Sequence, residues 1–549
     1  MCGIVLYSNN YTYDQVTQSH RGPDFHYQTS HNKLKIHFDR LSVTGAKLGN
    51  PPVLSSDHRW SVFLNGEIYN FSKLIYQYNL PSTSSDTKTI ANGLSKYGIS
   101  FFKKIAGQFA VIAIDNLSDK VYIARDQLGE KPLYFSKNAK EIVVTSEFRT
   151  NLMILKRNLN LNLDALSSYF RFGYVEEPIT MDSQIFHFPK GKVYELNGIS
   201  HEWSEVLDLF GHDGITTSYD ENQNFHDFIY EILMEQSQTD VKSGVALSSG
   251  IDSKIIAKTL LLNSPLRKSY TYKNSLLPWR SEHSNALRFS KEIGLKCKVV
   301  NPKKRDLFES LVELNSRNND LHADSSGLAY MQLLSAMQND QVKVAFFGHG
   351  SDEFFQGYAW YNLHVKSFKD EKNQPKRYFW NTPAFSPELC RLFEINENVN
   401  LSSDPNLDSK DPLIKSRAEI VNSYLVGNGF KQIDRLSMSF GIESRLPLAD
   451  FRIYSALQRS SDTDVRNFSK SNLALGFGIK TKANHIKKGF STSLLINMEN
   501  DIPKEKWQHI TNIIQQSVNL DWDKFELSNV GTLTKYKYLM LGLWLQAIS

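Results

Sequence analysis

The sequence predicts two domains of different fold class, an antiparallel α+β domain followed by a mostly parallel α/β domain. In the first part, short β-branched and aromatic runs such as IVLY, WSVFLNG and QFAVIAID are broken by Gly, Asn, Asp and Pro, which is typical of antiparallel strands. In the second part, short apolar runs alternate with stretches of helical periodicity, which is typical of a parallel sheet covered on both faces. A chain of 549 residues that is 41% hydrophobic is long enough for two such cores.

The order of these runs sets the expected domain boundaries. The strand-like runs indicate an antiparallel domain that ends near residue 195, so we place the first domain at 2–195. The stretch 205–222 has little periodicity, and we place the linker at 196–222. The second domain, 223–549, opens on a helical pattern of apolar residues.

Within the second domain, the runs alternate in a fixed order. GVAL, SYTY, KCKVV and VKVAFFG indicate strands, and SKIIAKTLLL and SNALRFSKEIG indicate helices. Ligands of open parallel sheets bind beyond the carboxyl ends of the strands. The loops that follow GVAL and VKVAFFG are therefore the first places to look for a binding site.

Composition and charge exclude several classes of protein. The formal net charge is +5 and no dense basic tract is present, so no nucleic-acid partner is expected. The N-terminus lacks a basic stretch followed by an apolar core, and no apolar run reaches about 18 residues, which argues against a signal peptide and a membrane partner. Three widely separated cysteines form neither a disulfide framework nor a zinc pattern. We therefore expect a cytoplasmic protein.

The position of Cys2 directly behind the initiator Met1 indicates a nucleophile. If Met1 is removed, the thiol and a free α-amino group belong to the same residue. The thiolate is the reactive form of cysteine, and an α-amine with a pKa of about 7.7 to 8.0 can take the thiol proton near neutral pH. The alternative interpretation is that Cys2 is a small buried residue without a chemical role.

Other segments of the first domain carry the groups that such a nucleophile needs. In FLNGEIYN, the Asn65 side chain and the Gly66 N–H can stabilise an oxyanion. Arg40 in DRLSV can hold a carboxylate in bidentate fashion, and Asp86 in SSDTK can pair with an ammonium. A ligand with an amide, a carboxylate and an ammonium is glutamine. Taken singly, these residues also fit solvated turns and a hairpin.

Two loops of the second domain are suited to phosphate. In VALSSGIDS, a strand runs into small residues and a helix, whose N–H groups can face an anion, and Asp252 can hold Mg²⁺. AFFGHGSDEFFQGY repeats this design with Gly348, Gly350, Asp352 and Glu353. Either loop alone also fits an ordinary tight turn. Their joint occurrence favours a magnesium pyrophosphate site.

The motifs of both halves resemble one known family. Those of the first half resemble the class II glutamine amidotransferase domain, namely MCGI at 1–4, HRGPD at 20–24, RLSV at 40–43, NGEIYN at 65–70 and RDQLGEKPLY at 125–134. Those of the second half resemble the synthetase domain of glutamine-hydrolysing asparagine synthetases, namely LSSGIDS at 247–253, GHGSDE at 348–353, DRLSMSFGIESRLP at 434–447 and KKGF at 487–490.

This resemblance implies a fold and a set of roles. The first domain would be an antiparallel sandwich of the N-terminal-nucleophile type, and the second an ATP-pyrophosphatase domain. The implied nucleophile and oxyanion hole are Cys2, Asn65 and Gly66. The implied glutamine contacts are Arg40, Asn65, Glu67 and Asp86. The implied ATP site consists of Leu247, Ser248, Gly250, Asp252, Ser253, Tyr272, Gly348, Asp352 and Lys487, with Mg²⁺ held by Asp252 and Asp352.

Three positions depart from the family pattern. Ser249 replaces a glycine of the pyrophosphate loop, and a Cβ is tolerated there if the backbone avoids positive φ, so ATP binding should be retained. His349 replaces a glutamate that lies near the acyl-adenylate in asparagine synthetases, which puts aspartate as acceptor in doubt. The residues at 448–450, Leu-Ala-Asp, differ from the usual Phe-Leu-Asp, which we interpret as a packing change.

The expected reaction joins two half-reactions. Cys2 releases ammonia from glutamine, and the second domain uses ATP and Mg²⁺ to adenylate an acceptor carboxylate that ammonia converts to an amide. The acceptor stays open between aspartate and another carboxylate, such as a sugar acid, a peptide or a biosynthetic intermediate. Rival hypotheses are a glutaminase with an inactive second domain and a silent binding protein. A homodimer also stays open.

Overall fold

The computed structural model describes residues 2–11, 18–45, 50–138, 141–197, 199–210, 219–263, 266–273, 283–302, 306–368, 405–480, 498–518 and 527–548. Both predicted fold classes are confirmed, since two antiparallel sheets are followed by one parallel sheet. Within these ranges, no helix is both long enough and apolar enough to span a bilayer.

The first domain is built on two six-stranded antiparallel sheets. Their strands are β1 Cys2–Ser8, β2 Phe25–His31, β3 Leu34–Arg40, β4 Val53–Leu54, β5 Trp60–Ile68, β6 Gly107–Asp115, β7 Lys120–Arg125, β8 Tyr134–Lys137, β9 Ile142–Thr145, β10 Phe186–His187, β11 Lys192–Asn197 and β12 Trp203–Asp208. One sheet has the order β10-β8-β9-β1-β3-β2, and the other has the order β12-β11-β7-β6-β5-β4. The helices of this domain are α1 Phe71–Gln77, α2 Asp86–Tyr97, α3 Phe148–Leu155 and α4 Leu163–Phe172.

Side chains at alternate strand positions form the core between the two sheets. Ile4 of β1 belongs to the same buried cluster as Phe63 of β5 and Ile112 of β6. The next residue along β5, Leu64, belongs instead to the cluster that β5 and β6 form with α1 and α2. This alternation is the period of two that a strand imposes on its side chains. The sheet that contains β5 is therefore covered on both faces.

The first domain extends further than the sequence predicts. Strand β12 pairs antiparallel with β11 at the edge of the second sheet, so part of the predicted linker at 196–222 is a strand. The register between the two strands shifts at Val193. Such a bulge disturbs the alternation of buried and exposed side chains within β12, which weakens the strand pattern at 203–208.

The second domain contains a five-stranded parallel sheet of order β15-β14-β13-β16-β17 when its strands are numbered along the chain. These strands are β13 Ser243–Ala246, β14 Leu266–Tyr272, β15 Cys297–Val300, β16 Val344–Phe346 and β17 Glu443–Arg445. The first four were predicted from GVAL, SYTY, KCKVV and VKVAFFG. β17 was not predicted, because its sequence, ESR, contains no apolar residue although all three side chains are buried.

Helices surround this sheet. They are α5 Phe225–Ser237, α6 Ile251–Asn263, α7 His283–Glu292, α8 Leu307–Asn318, α9 Gly327–Asn339, α10 Ser351–Phe354, α11 Tyr361–Ser367, α12 Pro412–Ile420, α13 Lys431–Met438, α14 Phe451–Arg459, α15 Thr463–Arg466, α16 Lys470–Gly476, α17 Met498–Asp501, α18 Lys504–Ser517 and α19 Thr532–Ile548. A π-helical segment, Val421–Phe430, joins α12 to α13. Ile229 of α5, Val245 of β13 and Leu334 of α9 belong to one buried cluster.

The order of the strands determines where the sites lie. Because β13 and β16 are neighbours and parallel, the loops that follow them meet at the carboxyl edge of the sheet. β17 is the edge strand beside β16, and it also contacts the first domain, since Gln108 Nε2 donates a hydrogen bond of 3.2 Å to the carbonyl of Ser444. One edge of the parallel sheet therefore lies against the first domain.

Candidate active sites

Strand pairing brings the predicted nucleophile next to a predicted ligand group. Cys2, the first residue of β1, lies opposite Arg40, the last residue of β3, in the antiparallel register. Its main-chain N–H donates a hydrogen bond of 2.9 Å to Asn65 Oδ1, and its carbonyl accepts one of 3.1 Å from Arg21 Nε. The backbone of Cys2 is thus held at both ends by buried side chains.

The predicted oxyanion hole lies in β5. Gly66 has a φ of 145°, and a Cβ there would lie 1.9 Å from the carbonyl oxygen of Gln108, so only glycine fits. The Nδ2 group of Asn65 donates to Ser146 Oγ at 3.4 Å. The same hydroxyl accepts a hydrogen bond of 2.9 Å from the N–H of Ile4 in β1. Ser146, which was not predicted, therefore links the orientation of Asn65 to the strand that carries the thiol.

A single cleft contains three of the four predicted glutamine-binding side chains, and Asn65 is not among the residues that line it. Its lining includes Cys2, Arg40, Gly66, Glu67 and Asp86, and its empty volume, with the open mouth counted, is about 380 Å³. A thiol, a guanidinium and two carboxylates thus face one small space. This combination suits a small zwitterion, because each charge of the ligand finds an opposite charge.

The two carboxyl groups of the cleft are held differently. Burial raises the pKa of Asp86, although its carboxylate accepts hydrogen bonds from the N–H of Ile68 at 3.1 Å and of Thr87 at 2.6 Å. Burial, followed by the charge of Asp86, raises the pKa of Glu67 well above its ordinary value. Arg445 of the second domain lies 3.6 Å from Glu67 and opposes that shift. This neighbour from the other domain was not predicted.

The guanidinium of Arg40 is oriented by neutral groups. It donates hydrogen bonds to Asn50 Oδ1 at 2.8 Å and to the carbonyl of Gly45 at 3.3 Å. Burial raises the pKa of the Cys2 thiol, and the N–H of Leu41 together with the charge of Arg40 offsets part of this rise. The thiol therefore needs a base to reach its reactive form.

The second candidate site begins at the loop after β13. Ser253 Oγ accepts a hydrogen bond of 3.0 Å from the N–H of Ser248, and Ser248 Oγ accepts one of 3.0 Å from the N–H of Gly250. These hydroxyl contacts hold the loop as it enters α6. Ser249 is buried and does not have a positive φ, so the condition for tolerating its Cβ is met.

The loop after β16 packs directly on the first loop. A Cβ on Gly348 would lie 2.8 Å from the Cβ of Asp252, so this close approach requires glycine. Ser351 Oγ donates a hydrogen bond of 2.6 Å to Asp252 Oδ1. Gly350 has a φ of 85° and turns the chain into α10, which carries Asp352. The two predicted loops are therefore brought together.

A lysine that was not predicted joins the two carboxylates. Lys470 Nζ lies 2.7 Å from Asp252 Oδ2 and also contacts Asp352 Oδ1. Because both carboxylates approach one point, they fit Mg²⁺, which prefers one or two carboxylates with substrate phosphates and water. In the described part of the chain, no group of three or more metal-ligating side chains occurs. The sequence around Lys470, SKSN, is also typical of a solvated lysine, so its role could not be predicted from local sequence.

The remaining predicted ATP-site residues lie at or near the same edge. Leu247 follows β13, and its N–H donates a hydrogen bond of 2.8 Å to the carbonyl of Tyr270 in β14. Tyr272 is the last residue of β14 and pairs with Val300 of β15. Lys487 lies outside the described residues.

His349 lies among aromatic residues. The centre of its ring is 5.3 Å from that of Tyr330 and 5.9 Å from that of Phe347. In the helix that follows, Glu353 accepts a hydrogen bond of 2.5 Å from the hydroxyl of Tyr358. Burial raises the pKa of Glu353 and so favours its neutral form. The loop at 348–353 therefore presents aromatic rings next to a carboxyl group of reduced acidity.

Packing explains why residues 448–450 differ from the usual Phe-Leu-Asp of the family. Leu448 and Ala449 are fully buried. A Cβ on Gly350 would lie 2.3 Å from the Cβ of Ala449, so the small alanine lies directly against the loop. Asp450 caps α14 through the N–H of Arg452 at 2.9 Å. These contacts agree with the interpretation as a packing change.

Comparison with known proteins identifies both domains. Residues 1–204 match the family model of a glutamine amidotransferase domain, and residues 224–462 match that of asparagine synthase. Glutamine-hydrolysing asparagine synthetase 1 of Bacillus subtilis (strain 168) is 23% identical over 94% of this chain and 90% of its own length. Glutamine-hydrolysing asparagine synthetase 2 of the same organism is 30% identical over 79% of this chain and 62% of its own length.

A plant protein shows the same likeness. Glutamine-hydrolysing asparagine synthetase 3 of Arabidopsis thaliana is 24% identical over 74% of this chain and 71% of its own length. Both family models lie in the expected order, and the described residues of the two sites fall within the ranges that they match, except Lys470. The chain therefore belongs to the glutamine-hydrolysing asparagine synthetase family, as an ATP-dependent ligase that joins a glutamine amidotransferase domain to a synthetase domain.

Proposed function

We propose that this enzyme amidates an acceptor carboxylate with ammonia taken from glutamine, at the expense of ATP cleavage to AMP and pyrophosphate. The observation that carries the proposal is the contact between the loops after β13 and β16, which places Asp252, Asp352 and Lys470 at one point. If the second domain were catalytically inactive, the contact of two carboxylates with a lysine at the strand edge would have no function. The cleft around Cys2 supplies the other half-reaction.

In the first half-reaction, the Cys2 thiolate attacks the side-chain amide of glutamine. A thioester forms, ammonia leaves, and water then releases glutamate and restores the thiol. Gly66 N–H and the Asn65 amide stabilise the oxyanion, while Arg40 binds the α-carboxylate of glutamine. Asp86 and Glu67 bind its ammonium. The α-amine of Cys2 takes the thiol proton, because burial disfavours a thiolate that forms unaided.

The second half-reaction takes place at the carboxyl edge of the parallel sheet. An acceptor carboxylate oxygen attacks the α-phosphorus of ATP, pyrophosphate leaves, and ammonia then displaces AMP from the acyl-adenylate. The N-terminus of α6 would face the phosphates, whereas the N–H groups of Ser248 and Gly250 hold the loop by donating to hydroxyls within it. Asp252 and Asp352 would hold Mg²⁺, which neutralises the charge of the pyrophosphate when it is bound.

Lys470 contributes a positive charge to this step. Its Nζ contacts Asp252 and Asp352, the residues that would hold Mg²⁺, so its charge lies where it can stabilise the departing pyrophosphate. Lysine suits this task as a compact charge on a flexible stem. Lys487 is assigned the same kind of role by the family resemblance. Ammonia reaches this site internally, from the cleft of Cys2.

The acceptor is a carboxylate without an adjacent ammonium, such as a sugar acid or an acylated amino acid, in preference to free aspartate. His349 stands where asparagine synthetases carry a glutamate, so one negative charge is missing next to the reacting carbon. The rings of Tyr330 and Phe347 flank it, and burial favours the neutral form of the nearby Glu353. The ammonium of an acceptor such as aspartate would therefore be stabilised less in this site than in one that carries the glutamate. Free aspartate remains the alternative if the imidazole serves as the proton acceptor.

The acceptor assignment is tested with a panel of carboxylates. Pyrophosphate release is measured with ATP, Mg²⁺ and ammonia, and with aspartate, N-acetylaspartate, glucuronate and galacturonate in turn. We expect at least one acid without an adjacent ammonium to exceed aspartate in kcat/KM by about tenfold, the effect of about 1.4 kcal/mol. His349→Glu should raise the relative turnover of aspartate. Efficient conversion of aspartate to asparagine by the unmodified enzyme, well above every other acid, would refute the assignment.

The proposed base requires a free amine on Cys2. We therefore expect the purified protein to lack Met1, so that its intact mass is lower than the mass of the full sequence by one methionine residue. Aminopeptidases remove an initiator methionine that precedes a small side chain, and Cys2 is such a residue. Intact-mass spectrometry decides the question. A fully active sample that retains Met1 would exclude the α-amine as the base.

A further inference from the structure

A strand of the synthetase domain forms part of the wall beside the glutamine cleft. Arg445, the last residue of β17, is fully buried, and its Nη2 lies 3.6 Å from Glu67 Oε2. Its guanidinium also lies 5.6 Å from the ring centre of Tyr69, in the continuation of β5. The carbonyl of Ser444 accepts a hydrogen bond from Gln108 of β6. Glu67, which lines the glutamine cleft, is therefore contacted from behind by a residue of the other domain.

Arg445 is fixed by its own domain on the remaining sides. Its Nε lies 2.6 Å from Glu443 Oε1, and its Nη1 donates hydrogen bonds of 2.6 Å to the carbonyls of Gln236 and Gln238. Among the described residues, Nη2 has no hydrogen-bond partner, and the ion pair with Glu67 is the contact that it makes with the cleft. A shift of β17 would therefore move the guanidinium as a unit relative to Glu67.

The same strand is bonded to the pyrophosphate loop. Phe346 of β16 lies opposite Arg445 in the parallel register, and the N–H of Phe347 donates a hydrogen bond of 3.0 Å to the carbonyl of Arg445. The chain then enters the loop directly at Gly348. Just beyond β17, Ala449 packs against Gly350 of that loop. Two short contacts thus connect the loop to the strand that faces the glutamine cleft.

The two carboxyl groups of the cleft indicate a function for Arg445. Glu67 and Asp86 are buried in one cavity, so burial and then mutual repulsion favour protonation of Glu67. Glu443 adds to this repulsion, whereas the charge of Arg445 opposes it. A protonated Glu67 would no longer attract the ammonium of glutamine. The guanidinium therefore helps to keep Glu67 in the form that binds glutamine.

We propose that Arg445 is a positioning residue of the glutamine site that the synthetase domain supplies, and that it makes glutamine binding depend on the occupancy of the pyrophosphate loop. This inference rests on the proposed function, because it takes the loop after β16 to hold the pyrophosphate of ATP. A ligand that shifts this loop changes the distance between Arg445 and Glu67 through the backbone of β16 and β17. By linkage, glutamine must in turn change the affinity for ATP by the same factor.

The first test measures glutamate release from glutamine without an acceptor, with and without ATP and Mg²⁺. For the unmodified enzyme we expect ATP to change the KM for glutamine by about fivefold or more, at the lower end of typical allosteric coupling. Binding of ATP and of inorganic pyrophosphate is measured separately by equilibrium dialysis. If neither binds, the proposed function fails and the inference fails with it. If ATP binds and the KM for glutamine stays the same, the inference alone is overturned.

The second test uses Arg445→Lys, which keeps the charge and loses the Nη1 group that donates to two carbonyls. We expect the KM for glutamine to rise about tenfold, the kcat to stay within about twofold, and the response of KM to ATP to disappear, because only ground-state binding is affected. Arg459→Lys is the matched control, since Arg459 donates a hydrogen bond to the carbonyl of Phe210 and does not line the cleft. Synthesis from added ammonia reports that each variant is folded.

A third variant separates positioning from general stability. Gln108→Met removes the hydrogen bond to Ser444 without burying an unpaired charge, and we expect it to weaken the response to ATP in the same direction. In Arg445→Met, the acid limb of the kcat/KM profile for glutamine should move to higher pH, because Glu67 then protonates more readily. An unchanged KM and an intact response to ATP in Arg445→Lys would overturn the proposal.

Discussion

Cys2→Ala is expected to abolish synthesis from glutamine while leaving synthesis from added ammonia intact. The methyl group of alanine cannot form the thioester, so glutamate release should fall by about 10³-fold or more, as when other enzymes lose their nucleophile. Ammonia enters the reaction after this step, and the second site does not include Cys2, so turnover with ammonium chloride should stay within about twofold of the unmodified enzyme. Glutamate and AMP are measured with each nitrogen source.

Cys297→Ala provides the matched control for this substitution. Cys297 is a half-buried thiol in β15, on the side of the parallel sheet far from β17, and no role is assigned to it. It should retain turnover with both nitrogen sources. Appreciable glutamate release by Cys2→Ala would mean that another group attacks glutamine. Loss of the ammonia-dependent reaction as well would mean that the two sites do not act separately.

Asp252→Asn and Asp352→Asn are each expected to abolish ATP cleavage. An amide oxygen is a weak ligand for Mg²⁺, and each substitution also leaves Lys470 with one carboxylate partner instead of two. The rate of AMP formation should fall by about 10²-fold or more, a loss comparable to the removal of one strong transition-state contact. Glutaminase activity should persist, because neither residue lies in the glutamine cleft. Pyrophosphate and glutamate release are followed in parallel.

Asp340→Asn serves as the control for the lost carboxylate. Asp340 belongs to the same domain and pairs with Lys268 and Lys298 at 3.2 and 3.1 Å, but it lies outside the two loops. It should leave both activities nearly unchanged. If Asp252→Asn and Asp352→Asn retained AMP formation at the rate of this control, the assignment of the pyrophosphate loop would be wrong.

The local sequence predicted those strands and loops whose structure is determined by residues that are adjacent in the chain. The strand and small-residue pattern of VALSSGIDS predicted both β13 and the loop that closes on Ser248 and Ser253. The Asn-Gly pair of β5 was predicted to supply oxyanion donors, and in the structure Gly66 has a φ that other residues rarely adopt. The opposition of Cys2 and Arg40 follows from the pairing of β1 with β3, which no local pattern encodes.

Residues that act across long sequence separations were missed. Lys470 follows Asp252 by 218 positions, and its neighbours along the chain give no sign of a buried partner. Arg445 belongs to a strand without apolar residues, so its burial depends on the ion pair with Glu443 and on the first domain. The edge strand β12 was assigned to the linker because a bulge disturbs its alternation. In each case, the position of the residue or strand is determined by tertiary contacts and not by the local sequence pattern.

The second domain is expected to be active and to adenylate a carboxylate. The most direct measurement is a product analysis with ATP, Mg²⁺, ammonia and the best acceptor of the panel, in which AMP, ADP, pyrophosphate and phosphate are separated and quantified. Adenylation releases one AMP and one pyrophosphate for each amide formed, and an acceptor labelled with ¹⁸O in its carboxylate transfers one labelled oxygen to AMP. We predict this result. Formation of ADP and phosphate, or AMP without the label, would contradict the account.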